Sequence, residues 1–190
     1  MAANKVRYGL KNVHYAKLTE TVDSITGEVT YTYGTVTAWP GAVSLSLDPT
    51  GEVSNEYADD GVYYTIAQNS GYEGDFEYEV MPESFMEDIL GFTEDTNGVF
   101  IEETGKPTTY FALLYEVNGD AHKSKKLFYK CSATRETSED STSEDSIEMT
   151  HGTITITAVS RADGKVKAST GSNTDSTVSA GWFSSVYETT

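Results

Sequence analysis

Residues 57–65 read YADDGVYYT. Tyr57-Ala58-Asp59-Asp60 is the residue set with which reverse transcriptases hold their catalytic magnesium ions, two adjacent aspartates at a hairpin bridging the metals. The rest of the chain opposes that chemistry. A polymerase grips a polyanion through lysine and arginine, whereas this chain carries 13 basic against 30 acidic residues, a formal charge of −17. A second aspartate-bearing palm strand and a basic thumb are missing, and 190 residues is short for a palm with fingers. Asp59-Asp60-Gly61 is therefore read as a turn closing a β-hairpin, where Asp-Gly suits positive φ.

Other reactive groups lead no further. Cys131 is the only cysteine, so no intrachain disulfide forms and a reducing compartment is compatible. His14, His122 and His151 are scattered and none neighbours Cys131, which leaves no cysteine–histidine pair and no zinc-type spacing. The segment YEGDFEYEV places Glu73, Asp75, Glu77 and Glu79 on one face of a strand and Tyr72, Gly74, Phe76, Tyr78 and Val80 on the other. Successive carboxylates of such a row lie about 7 Å apart along the strand. A glycosidase needs two carboxylates facing each other across a sugar, normally from different strands. The 13 tyrosines and two tryptophans keep a carbohydrate-binding module open as an alternative. No catalytic residue, cofactor or metal is expected.

The elements that position these groups are mostly strands. Residues 29–33 (VTYTY), 43–47 (VSLSL) and 153–158 (TITITA) alternate with period two, as half-buried strands do. YFALLYEV (110–117) is apolar on both faces, which predicts a central strand covered twice, and LFYKCSA (127–133) is expected to pair with it through the Asn118-Gly119-Asp120 turn. Only MPESFMEDILGF reads as helix, about 82–90. Pro82 sits in its first turn, Glu83 at the positive N-terminal end, and Phe85, Met86, Ile89 and Leu90 recur at helical spacing before Gly91 stops it. The expectation is an all-β domain of eight to ten strands with one short helix, spanning 1–163. Two segments read as mobile: the tandem TSEDS tract of 137–146 and a linker at 164–178, followed by an apolar C-terminal anchor.

Charge is segregated. From Leu18 to Gly105 there is no lysine or arginine but 19 acidic residues, and all 13 basic residues fall in 5–17 or 106–167. Complementary faces that meet between copies give such segregation a use, since opposite patches steer and register assembly. The opening MAANKVRYGL lacks the apolar run of a secretory signal, and no window approaches the roughly 18 apolar residues of a membrane span. No membrane association is expected.

KVRYGLKNVHYAKL, PGAVSLSLDPTGE, YADDGVYYT, NSGYEGDFEYEVMPESF, FALLYEVNGD, KKLFYKC and TITITA, in this order from Lys5 to about Ala158, resemble the major tail (tail tube) proteins of long, noncontractile-tailed bacteriophages of Gram-positive hosts. WFSSVY near the C-terminus matches more loosely, and the tandem TSEDS tract departs from the pattern. The resemblance implies a tail-tube-type β-sandwich or partial barrel with one flanking helix. Six copies would form a ring, and rings would stack into the tube through which double-stranded DNA leaves the virion without being bound specifically. Tape-measure and tail-terminator proteins are the further partners implied, with assembly in the host cytoplasm and the virion tail as the final location. If each copy gave four strands to the inner wall, that wall would be roughly 50 Å across.

On this reading the row Glu73, Asp75, Glu77 and Glu79 is expected to line the lumen, the outer surface being the alternative. Lys5, Arg7, Lys123, Lys125, Lys126, Trp182, Phe183 and Tyr187 are the expected intersubunit contacts, the last three on a C-terminal arm (within 164–190) that docks on its own core or on a neighbour. The competing reading is a cell-surface or carbohydrate-binding β-sandwich, which would require export.

Overall fold

The computed structural model of the chain describes residues 8–107, 109–119, 122–137 and 150–189. The fold is all-β, with 47% of residues in strands and 8% helical. The first half carries β1 (Leu10–Val22), β2 (Val29–Tyr33), β3 (Thr37–Ala38), β4 (Ala42–Leu45), β5 (Asp48–Thr50), β6 (Val53–Ala58), β7 (Gly61–Ala67) and β8 (Gly71–Tyr78). A helical turn α1 (Glu83–Phe85) continues as a wider turn over Met86–Leu90. Then come β9 (Thr93–Glu94), β10 (Phe100–Ile101), β11 (Phe111–Val117), β12 (Lys125–Ala133), β13 (Gly152–Ala158), β14 (Lys167–Ser169) and a second short helix, α2 (Ser176–Ala180).

The principal sheet is antiparallel in the order β2-β1-β11-β12-β13-β8-β4, with β3 added to β1, β5 to β8 and β14 to β12. Its shape follows from one short connection. β3 hangs on β1 and β4 on β8, at opposite ends of the strand order, yet only Trp39-Pro40-Gly41 joins them. Three residues span no more than about 10 Å, so the sheet rolls until its two margins meet. Trp39 N–H donates to Val13 O (2.7 Å) on one margin and Glu79 N–H to Gly41 O (2.8 Å) on the other.

The rolled sheet encloses the main core. Trp39 sits in it at 4.5 Å from Phe85, 5.0 Å from both Phe76 and Tyr78, and 6.1 Å from Tyr15, centroid to centroid, and its indole donates to Val80 O. Edge-on contacts, as with Phe76 and Tyr15, add to the burial of large rings. The helical segment falls where the sequence placed it. Pro82 precedes the first turn, Phe85 and Ile89 are fully buried in the core, and Gly91 at φ +79 ends it with its N–H on Met86 O. That bond closes a wider ring than an α-helix makes, so the second half is a π-type turn.

The outer face of β1, β11 and β12 is covered too. Ala16, Ala112, Leu114, Leu127 and Tyr129 pack beneath Trp182, with Val178, Phe183, Val186 and Tyr187 around it. β11 is thus buried on both faces, as its unbroken apolar run predicts. The expected linker over 164–178 is corrected here. Lys167–Ser169 pairs with β12 through Leu127↔Ala168, and Asp175 caps α2 by accepting from Thr177 N–H at 2.7 Å. The apolar positions Ala168 and Val178, scattered in a polar stretch, give it a face to bury. Arg161 fastens the chain's end: its guanidinium donates to Asp163, to Glu188 and to Tyr33 Oη, and stacks on Tyr31 at 4.0 Å. The acidic tract beyond Thr137 lies outside the described residues.

Burial sets the alkaline limit of the fold. It is the largest cause raising the pKa of Tyr15, Tyr33, Tyr78, Tyr129 and Cys131 above their ordinary values. These groups stay neutral when folded, while an unfolded chain ionises its tyrosines near pH 10. The tyrosines' contribution to stability is therefore complete below about pH 10 and falls as pH rises further, and that of Cys131 falls from about pH 8.5, because only the unfolded state sheds protons. Tyrosinate absorbance should rise in two stages, exposed tyrosines first and the buried set together with loss of the β-sheet circular dichroism. A single stage near pH 10 with the sheet signal intact would contradict the packing.

Candidate functional site

β6 and β7 form a two-stranded ribbon that belongs to no other sheet. It grows out of the β5–β8 pair: Ser70 N–H donates to Thr50 O and Gln68 N–H to Glu52 O, which carries the ladder past the sheet. At the junction Gly51 has φ +151, and a Cβ there would lie 2.0 Å from Gln68 O, so the root is built for glycine. From Gly51 to Ser70 every residue is exposed.

The composition is unusual for such a surface. Val53 (65% exposed), Tyr57 (71%), Val62 (55%), Tyr63 (78%), Tyr64 (61%) and Ile66 (49%) all face outward. Register puts Val53, Asn55 and Tyr57 with Val62, Thr65 and Ala67 on one face, and Ser54 and Glu56 with Tyr64 and Ile66 on the other, so both faces are partly apolar. Thr65 Oγ1 donates to Asn55 Oδ1 across the strands at 2.8 Å. Tyr63 is an extra residue in a bulge opposite Tyr57, which sharpens the ribbon's twist. A lone two-stranded ribbon is marginal in water. Exposed edges are usually blunted with lysine or proline, and 53–67 contains neither.

The tip is the YADDG stretch. Ala58 pairs with Gly61, and the two residues between them, Asp59 (φ +51) and Asp60 (φ +60), are both left-handed. The hairpin reading of the sequence therefore holds, with one correction: positive φ falls on the two aspartates, while Gly61 is already the first residue of β7. Replacing Asp60 with glycine relieves a left-handed backbone and should stabilise the ribbon by about 0.5–1 kcal/mol. Slower hydrogen exchange at Tyr57 and Val62 would register it, and unchanged exchange would count against this turn geometry.

The carboxylate row lies on the face of β8 opposite the core. Phe76 and Tyr78 point inward, Glu73, Asp75 and Glu79 are exposed and Glu77 is half-buried. The helical segment packs on the inner face through Phe85 and Ile89, so it does not share a side with the row. The neighbours explain how four acids sit on one strand. β13 sets Thr157, Thr155 and Thr153 beside Glu73, Asp75 and Glu77. Thr155 donates to Asp75 (2.9 Å), Ser44 donates to Glu77 (2.7 Å), and His151 lies 3.5 Å from Glu79. Among the described residues no lysine or arginine pairs with the row. The result is a patch of hydroxyls and carboxylates that no lysine or arginine among the described residues compensates.

The expected intersubunit residues divide. Lys5 and Arg7 lie outside the described residues. Lys123 is exposed, with φ +48, in the β11–β12 loop. Lys126 lies over the Tyr115 ring. Lys125 donates to Ser179 O and lies 5.4 Å over the Phe183 ring. Trp182 is 3% exposed and stacks on Tyr187, while Phe183 stacks on His14 at 4.6 Å. Lys125, Trp182, Phe183 and Tyr187 thus act inside the chain, tying the C-terminal segment to its own sheet.

Among the described residues no group of three or more histidine, cysteine or carboxylate side chains is placed to hold a metal ion, and no helix is long and apolar enough to cross a membrane. Cys131 is fully buried, its pKa raised by that burial. No protein-family model matches the chain, and no curated protein matches it.

Proposed function

We propose that this chain is a self-assembling structural subunit, a tail tube protein whose copies close into hexameric rings that stack into a conduit for double-stranded DNA. One observation carries the reading: 20 consecutive exposed residues that form a ribbon and its root, partly apolar on both faces and with neither lysine nor proline along its edges. Large exposed apolar patches mark association surfaces. Pairing the ribbon with neighbours removes its open edges, as closure of a ring does for every subunit at once. The hydroxyl-and-carboxylate patch on β8 and β13 supports the second half of the reading. Basic groups would hold phosphates through counterion release, whereas a wall bearing Glu73, Asp75, Glu77 and Glu79 repels them and lets DNA slide.

The exposed Tyr57, Tyr63 and Tyr64 favour a second reading, a carbohydrate-binding β-sandwich, since tyrosine rings stack on sugars. Electron microscopy of the purified protein separates the two. Rings or tubes with an open lumen are expected. Compact monomers that are retained on a glycan array would replace the tube reading with the second one.

A further inference from the structure

The ribbon has an acidic tip, and a lysine-bordered hollow lies beside its root. Its tip presents Asp59 and Asp60 in a fixed two-residue turn, and neither has an ion-pair partner among the described residues. At the root, beside Asn69 and Tyr72, lies a hollow of about 490 Å³ bordered by β14. Lys165 and Lys167 open onto it. Lys165 is shared between Glu188 (3.1 Å) and Asp163 (3.4 Å), and both of these also pair with Arg161. Lys167 is held 4.8 Å over the Tyr72 ring and 5.5 Å from the Phe128 ring and has no carboxylate partner among the described residues. Within this group Arg161 and Lys165 take up Asp163 and Glu188, which leaves Lys167 without a carboxylate.

The tip cannot reach its own root. The seven residues of β7, at roughly 3.4 Å per step, separate them by about 20 Å. The same hollow on another copy offers the acidic tip a complement that its own root cannot. We propose that the Asp59–Asp60 tip of one copy seats in the Lys167 hollow at the ribbon root of the next. Such a contact is head-to-tail: it joins two different patches, so it gives the assembly a direction and repeats without pairing off into closed dimers. It rests on the reading that the chain self-assembles.

Charge exchange tests it. Lys167→Glu is expected to raise the protein concentration needed for assembly about tenfold or more, since it sets like charges against the tip at every contact. Asp59→Asn with Asp60→Asn keeps left-handed geometry and should weaken assembly and flatten its salt dependence. Combining Lys167→Glu with Asp59→Lys and Asp60→Gly restores opposite charges, the glycine keeping the turn, and should return assembly to near the wild-type concentration. Sedimentation velocity reads all four proteins, and melting temperatures confirm that each monomer folds. Wild-type behaviour of the single-site variants would overturn the contact. So would a charge-exchanged protein that folds but does not recover, since the hollow would then take some other acidic segment. A wild-type chain that never assembles would instead remove the self-assembly reading, and this contact with it.

Discussion

Replacing Tyr57, Val62, Tyr63 and Ile66 together with threonine should leave a protein that folds normally and no longer assembles. All four side chains are at least 49% exposed and touch no core cluster, so the isolated fold loses little. Surface changes away from packed features usually stay within about 0.5 kcal/mol each, and threonine keeps the strand propensity of what it replaces. In an interface the same residues become anchors, and buried aromatic anchors cost about 2 kcal/mol or more apiece when truncated. Even with incomplete additivity, four losses should raise the assembling concentration about a thousandfold or more. Rings or tubes at the wild-type concentration would show that the ribbon is not the joint.

Trp182→Ala has the opposite signature. The ring is 3% exposed and covers Ala16, Ala112, Leu114, Leu127 and Tyr129 of its own chain. Truncating a buried tryptophan costs about 3–5 kcal/mol, a large share of a typical domain's 5–15 kcal/mol. The monomer's melting temperature should fall by roughly 6–20 °C. If Trp182 instead docked on a neighbour, the monomer would melt unchanged and only the assembled form would weaken. Differential scanning calorimetry at concentrations below assembly distinguishes the two.

Local pattern carried some of this structure and distance hid the rest. β8 was legible because one face is core and the other water, so Tyr72, Phe76 and Tyr78 alternate with Glu73, Asp75 and Glu77. β11 was legible because it is covered twice. β1 was not. A left-handed residue at Asn12 (φ +52) shifts its register, and beyond it Tyr15 faces the enclosed core while Ala16 faces the C-terminal segment, which erases period two. Trp39 gives no sign of its place, because the role exists only once the sheet has rolled. Arg161 likewise depends on Tyr33, 128 residues earlier in the chain.

The carboxylate row was visible as a row, but the threonines and serine that make it tolerable come from β13 and β4. The ribbon's alternation reads as an ordinary strand pair. Its exposure is a statement about what does not cover it, and no local pattern encodes that.

The rolled sheet also sets an order of events during synthesis. β1 finds β2 at once, but it pairs with β11 from Leu10↔Val117 to Lys17↔Phe111, so its other edge waits about 100 residues for a partner. At a translation rate of about 5–20 residues per second that is roughly 5–20 s on the ribosome. The ribbon waits for nothing: its strands are two residues apart, and a hairpin closes in about 1–10 μs. The apolar ribbon proposed as the joint can therefore form on a nascent chain that has no core yet. On a polysome, where copies crowd together, premature joining is the hazard. The Leu18–Gly105 stretch, 19 acidic residues and no basic one, gives every unfinished chain a like charge that opposes such joining.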